Sequence, residues 1–158
     1  MKNKDKTNVM RMLDAKKIDY DYHTYEPDAT LTGEEIAGIL GEDVTKVFKT
    51  LVTRAKSGEY YVFVVPVNAE LDLKKAAKAA GEKSVSMIKQ KELLPLTGYV
   101  HGGCSPIGMK KVFKTFVHKT AAEFDKIFVS AGKVGFQIEL APSDLEKMIR
   151  LGYADIVM

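Results

Sequence analysis

Gly102-Gly103-Cys104-Ser105-Pro106-Ile107-Gly108 places three glycines and a proline within seven residues. Such a segment neither continues a helix nor sits in a regular strand. It makes a turn whose backbone can come close to a ligand, because glycine has no Cβ in the way. An N–H exposed there can donate to an ester carbonyl or to the oxyanion developing from it. A plain tight bend is the other reading of the same residues. Ser105 lacks a Gly-x-Ser-x-Gly setting and an assignable His–Asp pair, so it reads as a hydrogen-bonding group rather than a nucleophile. Cys104, the single cysteine, excludes an internal disulfide. It is either a buried small hydrophobe, the ordinary state of a free cysteine, or a thiol nucleophile.

A second feature is Lys49, alone in the strand-like run Val47-Phe48-Lys49-Thr50-Leu51-Val52. A lysine in a strand ordinarily points to solvent. Between Phe48 and Leu51, in a strand apolar enough to be covered on both faces, the alternative is a lysine at a cavity, where it holds an anion or a carbonyl oxygen. A third is the small-residue turn Ser130-Ala131-Gly132-Lys133-Val134-Gly135. It lacks the spacing of a phosphate loop and reads as a hairpin turn with Ser130 toward the cavity. His23, His101 and His118 share no metal-ligand spacing with one another or with Cys104, so no metal site is expected. Tyr20, Tyr22 and Tyr25 are core residues by default, with one free to line a pocket through its hydroxyl.

The elements that position these residues alternate irregularly along 158 residues, a length for one domain. A first helix capped by Thr7 or Asn8 runs to about Lys17, after opening lysines that read as a solvated end. A half-buried strand follows over Tyr20–Tyr25, then the capping box Thr32-Gly33-Glu34-Glu35 and a helix ending at Gly41. Another short helix starts at Asp43. Strands Val47–Thr53 and Tyr60–Val67 form a hairpin, and Leu71–Ala80 is a helix stopped by Gly81. Val85–Ile88 is short and extended, and Lys89–Leu94 is a helix stopped by Pro95. Beyond the glycine turn come a strand at Lys111–Val117 and a helical turn with capping-box spacing at Thr120–Glu123. Strands Ile127–Ser130 and Phe136–Leu140 follow. Pro142 opens a last helix with Gly152 past its end, before a terminal strand Ala154–Val157. The sum is a single α+β domain: a mixed, mainly antiparallel sheet surrounded by helices.

Apolar residues make up 46% and charged residues 28% of the chain, with a net charge of +3. That balance is ordinary for a globular protein, and mild basicity permits a nucleic-acid partner without demanding one. No run approaches the ~20 apolar residues of a membrane span. The first residues lack the apolar segment of a signal peptide, so a cytoplasmic location is expected. Lys74, Lys75 and Lys78 share one side of a helix, and Lys110, Lys111 and Lys114 cluster in a strand region. Each group is either a solvated face or a basic rim for a phosphate backbone.

Taken together, several blocks resemble the YbaK/EbsC family of aminoacyl-tRNA deacylases, which also occurs as the editing insertion of bacterial prolyl-tRNA synthetases. They are His23-Thr24-Tyr25, Val47–Val52, Leu73–Lys78, Gly98–Gly108, Val129–Gly135 and Glu139–Leu145, in order and almost end to end. The resemblance implies removal of a wrongly attached amino acid from the 3′ end of a tRNA. For the YbaK branch that amino acid is cysteine on tRNA(Pro), cleaved by the substrate's own thiol. It implies Lys49, Gly102 and Gly103 as catalytic residues: the two glycines offering N–H groups to the ester carbonyl, Lys49 holding the terminal phosphate or sugar or stabilising developing charge. It implies Tyr25, Thr50, Ser105, Pro106, Ser130 and Gly132 as substrate-binding, with Tyr25 and Ser130 orienting the aminoacyl end and Ser105 and Pro106 fixing the turn. The expected partners are the tRNA(Pro) 3′ end and prolyl-tRNA synthetase, with no membrane, no cofactor and no metal. The amino-acid pocket is expected along Tyr60–Val67 and beside Tyr25. Alanine as the amino acid, or a non-catalytic module that binds tRNA or synthetase, are the alternatives.

Overall fold

The computed structural model describes residues 6–158; the expected solvated end at residues 1–5 lies outside them. Helix α1 (Asn8–Ala15) starts where Thr7 accepts a hydrogen bond from the Met10 N–H and buries Val9, Met10 and Leu13. Strand β1 (Asp21–Thr24) leads to α2 (Gly33–Leu40). The capping box is formed in full: Thr32 Oγ1 accepts from the Glu35 N–H and Glu35 Oε1 from the Thr32 N–H. Thr32→Ala is expected to cost about 1 kcal/mol of stability, read as a lowered urea midpoint at unchanged slope. A midpoint equal to wild type contradicts that role.

Strands β2 (Phe48–Ala55) and β3 (Tyr60–Pro66) form the expected hairpin. Helix α3 (Leu73–Ala80) is capped by Asp72 and ends on left-handed Gly81. Strand β4 (Val85–Met87) and helix α4 (Gln90–Thr97) follow. Here the expectation fails, because α4 runs through Pro95 instead of stopping before it and closes on left-handed Gly98. Pro95 is exposed, as is Lys91, whose carbonyl loses its helical donor, so the unpaired group is at the solvent side.

Strand β5 (Lys114–His118) starts three residues later than expected. The turn after it is a 3-10 helix, Lys119–Glu123, preceded by His118 and without a side-chain cap; Thr120 Oγ1 is buried with no partner, so the capping-box spacing there is empty. Strands β6 (Ile127–Ser130) and β7 (Phe136–Leu140) match the expected bounds. Helix α5 (Pro142–Met148) has Pro142 in its first turn. Gly152 is not a helix terminator: it lies inside the last strand, β8 (Leu151–Ala154). It pairs with Phe116 of β5, and a Cβ added to Gly152 would stand in ordinary van der Waals contact with the Phe116 ring, at 3.6 Å.

The strands divide between two sheets, β4-β2-β3-β5-β8 and β1-β7-β6, joined by a parallel bridge between Val47 and Phe128. The small sheet is antiparallel throughout; in the large one β3–β5 and β5–β8 are parallel. Strand β3 is the middle of the large sheet and is buried on both faces. Val62 and Val64 join α1 and the small sheet in the main core, while Tyr61, Phe63 and Val65 pack on Ala76 and Ala77 of α3. Burial on both faces explains the unbroken apolar run. It also removes this strand from the amino-acid pocket, where it had been expected: only Val67, one residue past β3, reaches the cavity.

Candidate active site

Strand β4 pairs with β2 only over Thr53–Ala55, so the first half of β2 has no neighbour on that side within its sheet. The Val67 N–H donates to Val47 and the Ala55 N–H to Glu59, which sets the alternation of the β2–β3 ladder. Odd-numbered residues of β2 bond to β3, and the N–H and C=O of Thr50 point to the open side. A cavity of about 450 Å³ opens there. That is in the range of sites for small ligands.

Five of the nine residues expected in the site line this one cavity: Lys49, Thr50, Tyr25, Gly102 and Ser130. Lys49 is half-buried and makes no ion pair or side-chain hydrogen bond among the described residues. Glu34 and Glu70 stand on the same wall system. Thr50 Oγ1 is buried without a partner. Ser130 Oγ accepts from the Gly132 N–H, which leaves its own hydroxyl proton free to donate.

The other four residues stand behind the lining and brace it. Ser105 and Pro106 are buried, and Ser105 Oγ accepts from the Ile107 N–H, tying the loop to itself. Gly103 packs against the second small-residue turn: a Cβ there would lie 3.0 Å from the Val134 nitrogen and 3.2 Å from the Lys133 carbonyl carbon. Gly132 sits against Tyr99 and Val9, and Tyr99 donates its hydroxyl proton to the Ile107 carbonyl. The two glycine turns are thus one packed unit, and Gly102 is its exposed, left-handed tip (φ +86°).

Cys104 also lines the cavity. Burial pushes its thiol up to about 12, so the sulfur is protonated and no nucleophile at neutral pH. Cys104→Ala is expected to keep deacylation within about twofold of wild type, and the native thiol to resist iodoacetamide until the protein unfolds. Activity lost with the alanine, or fast alkylation of the native protein, contradicts this.

The sequence reading missed a whole wall. Thr30, Leu31, Gly33 and Ile36, from the loop before α2 and its first turn, close one side; Leu93, His101, Phe136 and Gln137 complete the others. The capping box signals that a helix starts at Gly33 but not what it faces. Gln137 had a signal, since it and Glu139 alternate with apolar residues in β7 and so share one face. Among the described residues no group of three or more His, Cys, Asp or Glu could hold a metal ion, and no helix is long and apolar enough to cross a membrane.

Comparison with known proteins adds to this geometry. Residues 27–148 match the family described as an aminoacyl-tRNA editing domain. An Enterococcus faecalis protein named "Putative Cys-tRNA(Pro)/Cys-tRNA(Cys) deacylase EbsC" is 46% identical over 156 residues, covering 98% of this chain and 95% of that protein. A proline–tRNA ligase from Thermosipho melanesiensis is 30% identical over 101 residues, covering 64% of this chain and 17% of the ligase. The fold matches a crystal structure described as "a putative trans-editing enzyme for prolyl tRNA synthetase", with TM-score 0.78, 22% identity and 95% of this chain covered.

Proposed function

The chain belongs to the aminoacyl-tRNA editing domain family, and from that premise we propose that it is a trans-editing aminoacyl-tRNA deacylase whose substrate is Cys-tRNA(Pro). The observation that carries the reading is the meeting of Lys49, Thr50, Tyr25, Gly102 and Ser130 around one cavity at the open edge of β2. The relative of near-equal length whose name states that substrate supports the choice of cysteine.

The chemistry follows from what the cavity offers and what it lacks. It holds a cation and an exposed glycine turn but no activated nucleophile, because Ser105 is buried in its own turn and Cys104 is a neutral thiol. We assign the attacking group to the substrate, as the resemblance to the cysteine-specific branch of the family implies, and the cavity's lack of an activated nucleophile agrees with that. The cysteinyl sulfur bonds to the ester carbonyl carbon, the bond from that carbon to the ribose oxygen breaks, and the thiol proton ends on the departing oxygen. The aminoacyl group leaves as a thiolactone, which water opens to cysteine. An attack within one molecule needs positioning more than activation. Gly102 offers its N–H to the carbonyl oxygen as charge develops, with the Gly103–Val134 packing holding the turn. Lys49 holds the terminal phosphate or sugar or stabilises that same charge. Tyr25, Thr50 and Ser130 orient the aminoacyl end.

Lys74, Lys78, Lys110, Lys111 and Lys114 are exposed. They suit a weak hold on the tRNA backbone, with prolyl-tRNA synthetase supplying the mischarged tRNA in the cytoplasm. Lys75 is committed elsewhere, bonded to Asp155 and to the Val157 carbonyl. The test is release of amino acid from preformed Cys-, Ala- and Ser-tRNA(Pro) by purified protein. Fast release of cysteine alone supports the reading. Preference for alanine replaces the substrate, and silence on all three leaves a binding module.

A further inference from the structure

The three strands of the small sheet place Ser130, Gln137 and His23 directly opposite one another, one polar row across β6, β7 and β1. Gln137 is the middle of the row, 4% exposed, and lines the cavity. Its Nε2 donates to Glu42 Oε1 at 3.0 Å, while its Oε1 is buried with no partner. Glu42 arrives from the end of α2. Left-handed Gly41 turns the chain, and the Glu42 N–H donates to the Ala37 carbonyl at 2.8 Å, so the backbone of Glu42 is fixed. The groups that face Glu42 are Gln137 and Glu139 from β7 and His23 from β1, and His23 Nε2 is 2.9 Å from Glu139 Oε1.

An ionised carboxylate only accepts hydrogen bonds. While Glu42 is ionised, the Gln137 amide must turn its nitrogen to Glu42, and its carbonyl oxygen is then the end left for the cavity. We propose that Glu42 is a positioning residue that sets this orientation, so that Gln137 Oε1 accepts a hydrogen bond from the protonated α-amine of the aminoacyl group. The inference rests on the aminoacyl-ester reading of the cavity. The carboxylates of Glu42 and Glu139 make this corner fit a cationic donor. Protonation of Glu42 lets it donate to the Gln137 oxygen, and the amide then turns its N–H₂ to the cavity, where it faces the ammonium donor to donor. Burial raises the pKa of Glu42 above the usual carboxylate range. The acceptor orientation therefore holds above that raised value and is lost as pH falls through it.

The test compares wild type, Glu42→Gln, Gln137→Ala and the double variant on Cys-tRNA(Pro). Glu42→Gln is expected to raise KM about tenfold with a smaller change in kcat, to flatten the acid limb of the pH profile, and to add nothing in the Gln137→Ala background. Its melting temperature at neutral pH is expected to rise, because a buried charge has been removed. The same loss in both backgrounds, or no loss in either, overturns the proposal, as does a lower melting temperature with equal losses. A second readout needs no turnover: the side-chain amide resonances of Gln137 shift on acidification in wild type and not in Glu42→Gln. Absence of turnover by wild type defeats the deacylase reading alone; Gln137 resonances indifferent to Glu42 defeat the positioning role alone.

Discussion

Lys49→Ala is expected to lower single-turnover deacylation by about 10²–10³-fold, the scale of removing one preorganised electrostatic group from a transition state. Lys49 is the second residue of β2, lines the cavity and pairs with no carboxylate among the described residues. Its ammonium is thus available to the substrate and contributes little to the fold. The variant should keep its free energy of unfolding, read from urea titration, within about 0.5 kcal/mol of wild type, as a substitution that strands no buried partner does. Lys49→Arg keeps the charge but replaces a compact ammonium by a planar fork, so partial activity is expected. Lys49→Ala with wild-type turnover removes the residue from the mechanism. A large loss of stability instead makes it a structural lysine.

The second large effect is expected at the tip of the glycine turn. Gly102 has φ +86°, where a side chain strains the backbone, and a Cβ there would lie 3.3 Å from the Ala29 Cα. Gly102→Val is expected to cost about 1–3 kcal/mol of stability and to lower the rate about 100-fold by moving the N–H that meets the carbonyl oxygen. Gly81→Ala separates the two effects. It has φ +72° and nothing within 4 Å of the added Cβ, so it carries the backbone strain alone at the end of α3, far along the chain from the turn. Its stability should fall while its activity holds. Equal activity losses in both variants would show that global destabilisation, not the turn, sets the rate.

Much of this molecule is written locally. Strands β6 and β7 have the bounds their apolar runs indicate, and Thr32 with Glu35, Gly41 and Gly81 mark helix ends by capping chemistry. Several site residues were legible because their types conflict with their surroundings: a lysine in an apolar strand, glycines clustered where no element needs them. What the sequence hid is long-range. The parallel pairing of β3 with β5 joins residues about fifty apart and leaves no periodicity to read. The contact of Glu42 with Gln137 spans 95 residues. Gly103 and Gly132 looked like ligand contacts, yet their missing side chains make room for Val134 and Tyr99, which is packing that builds the site from behind. Pro95 looked like a helix stop, and exposure lets the helix pass through it.

The most direct measurement is the release rate from Cys-tRNA(Pro) beside that from the same tRNA carrying S-methylcysteine. The two differ little in size, but only the first has a thiol free to attack its own carbonyl. If the substrate's own thiol is the attacking group, cysteine should be released at least about 100-fold faster, the effect of an intramolecular attack held in place. Equal rates would contradict substrate-thiol attack and require a group of the protein or a bound water to cleave the ester.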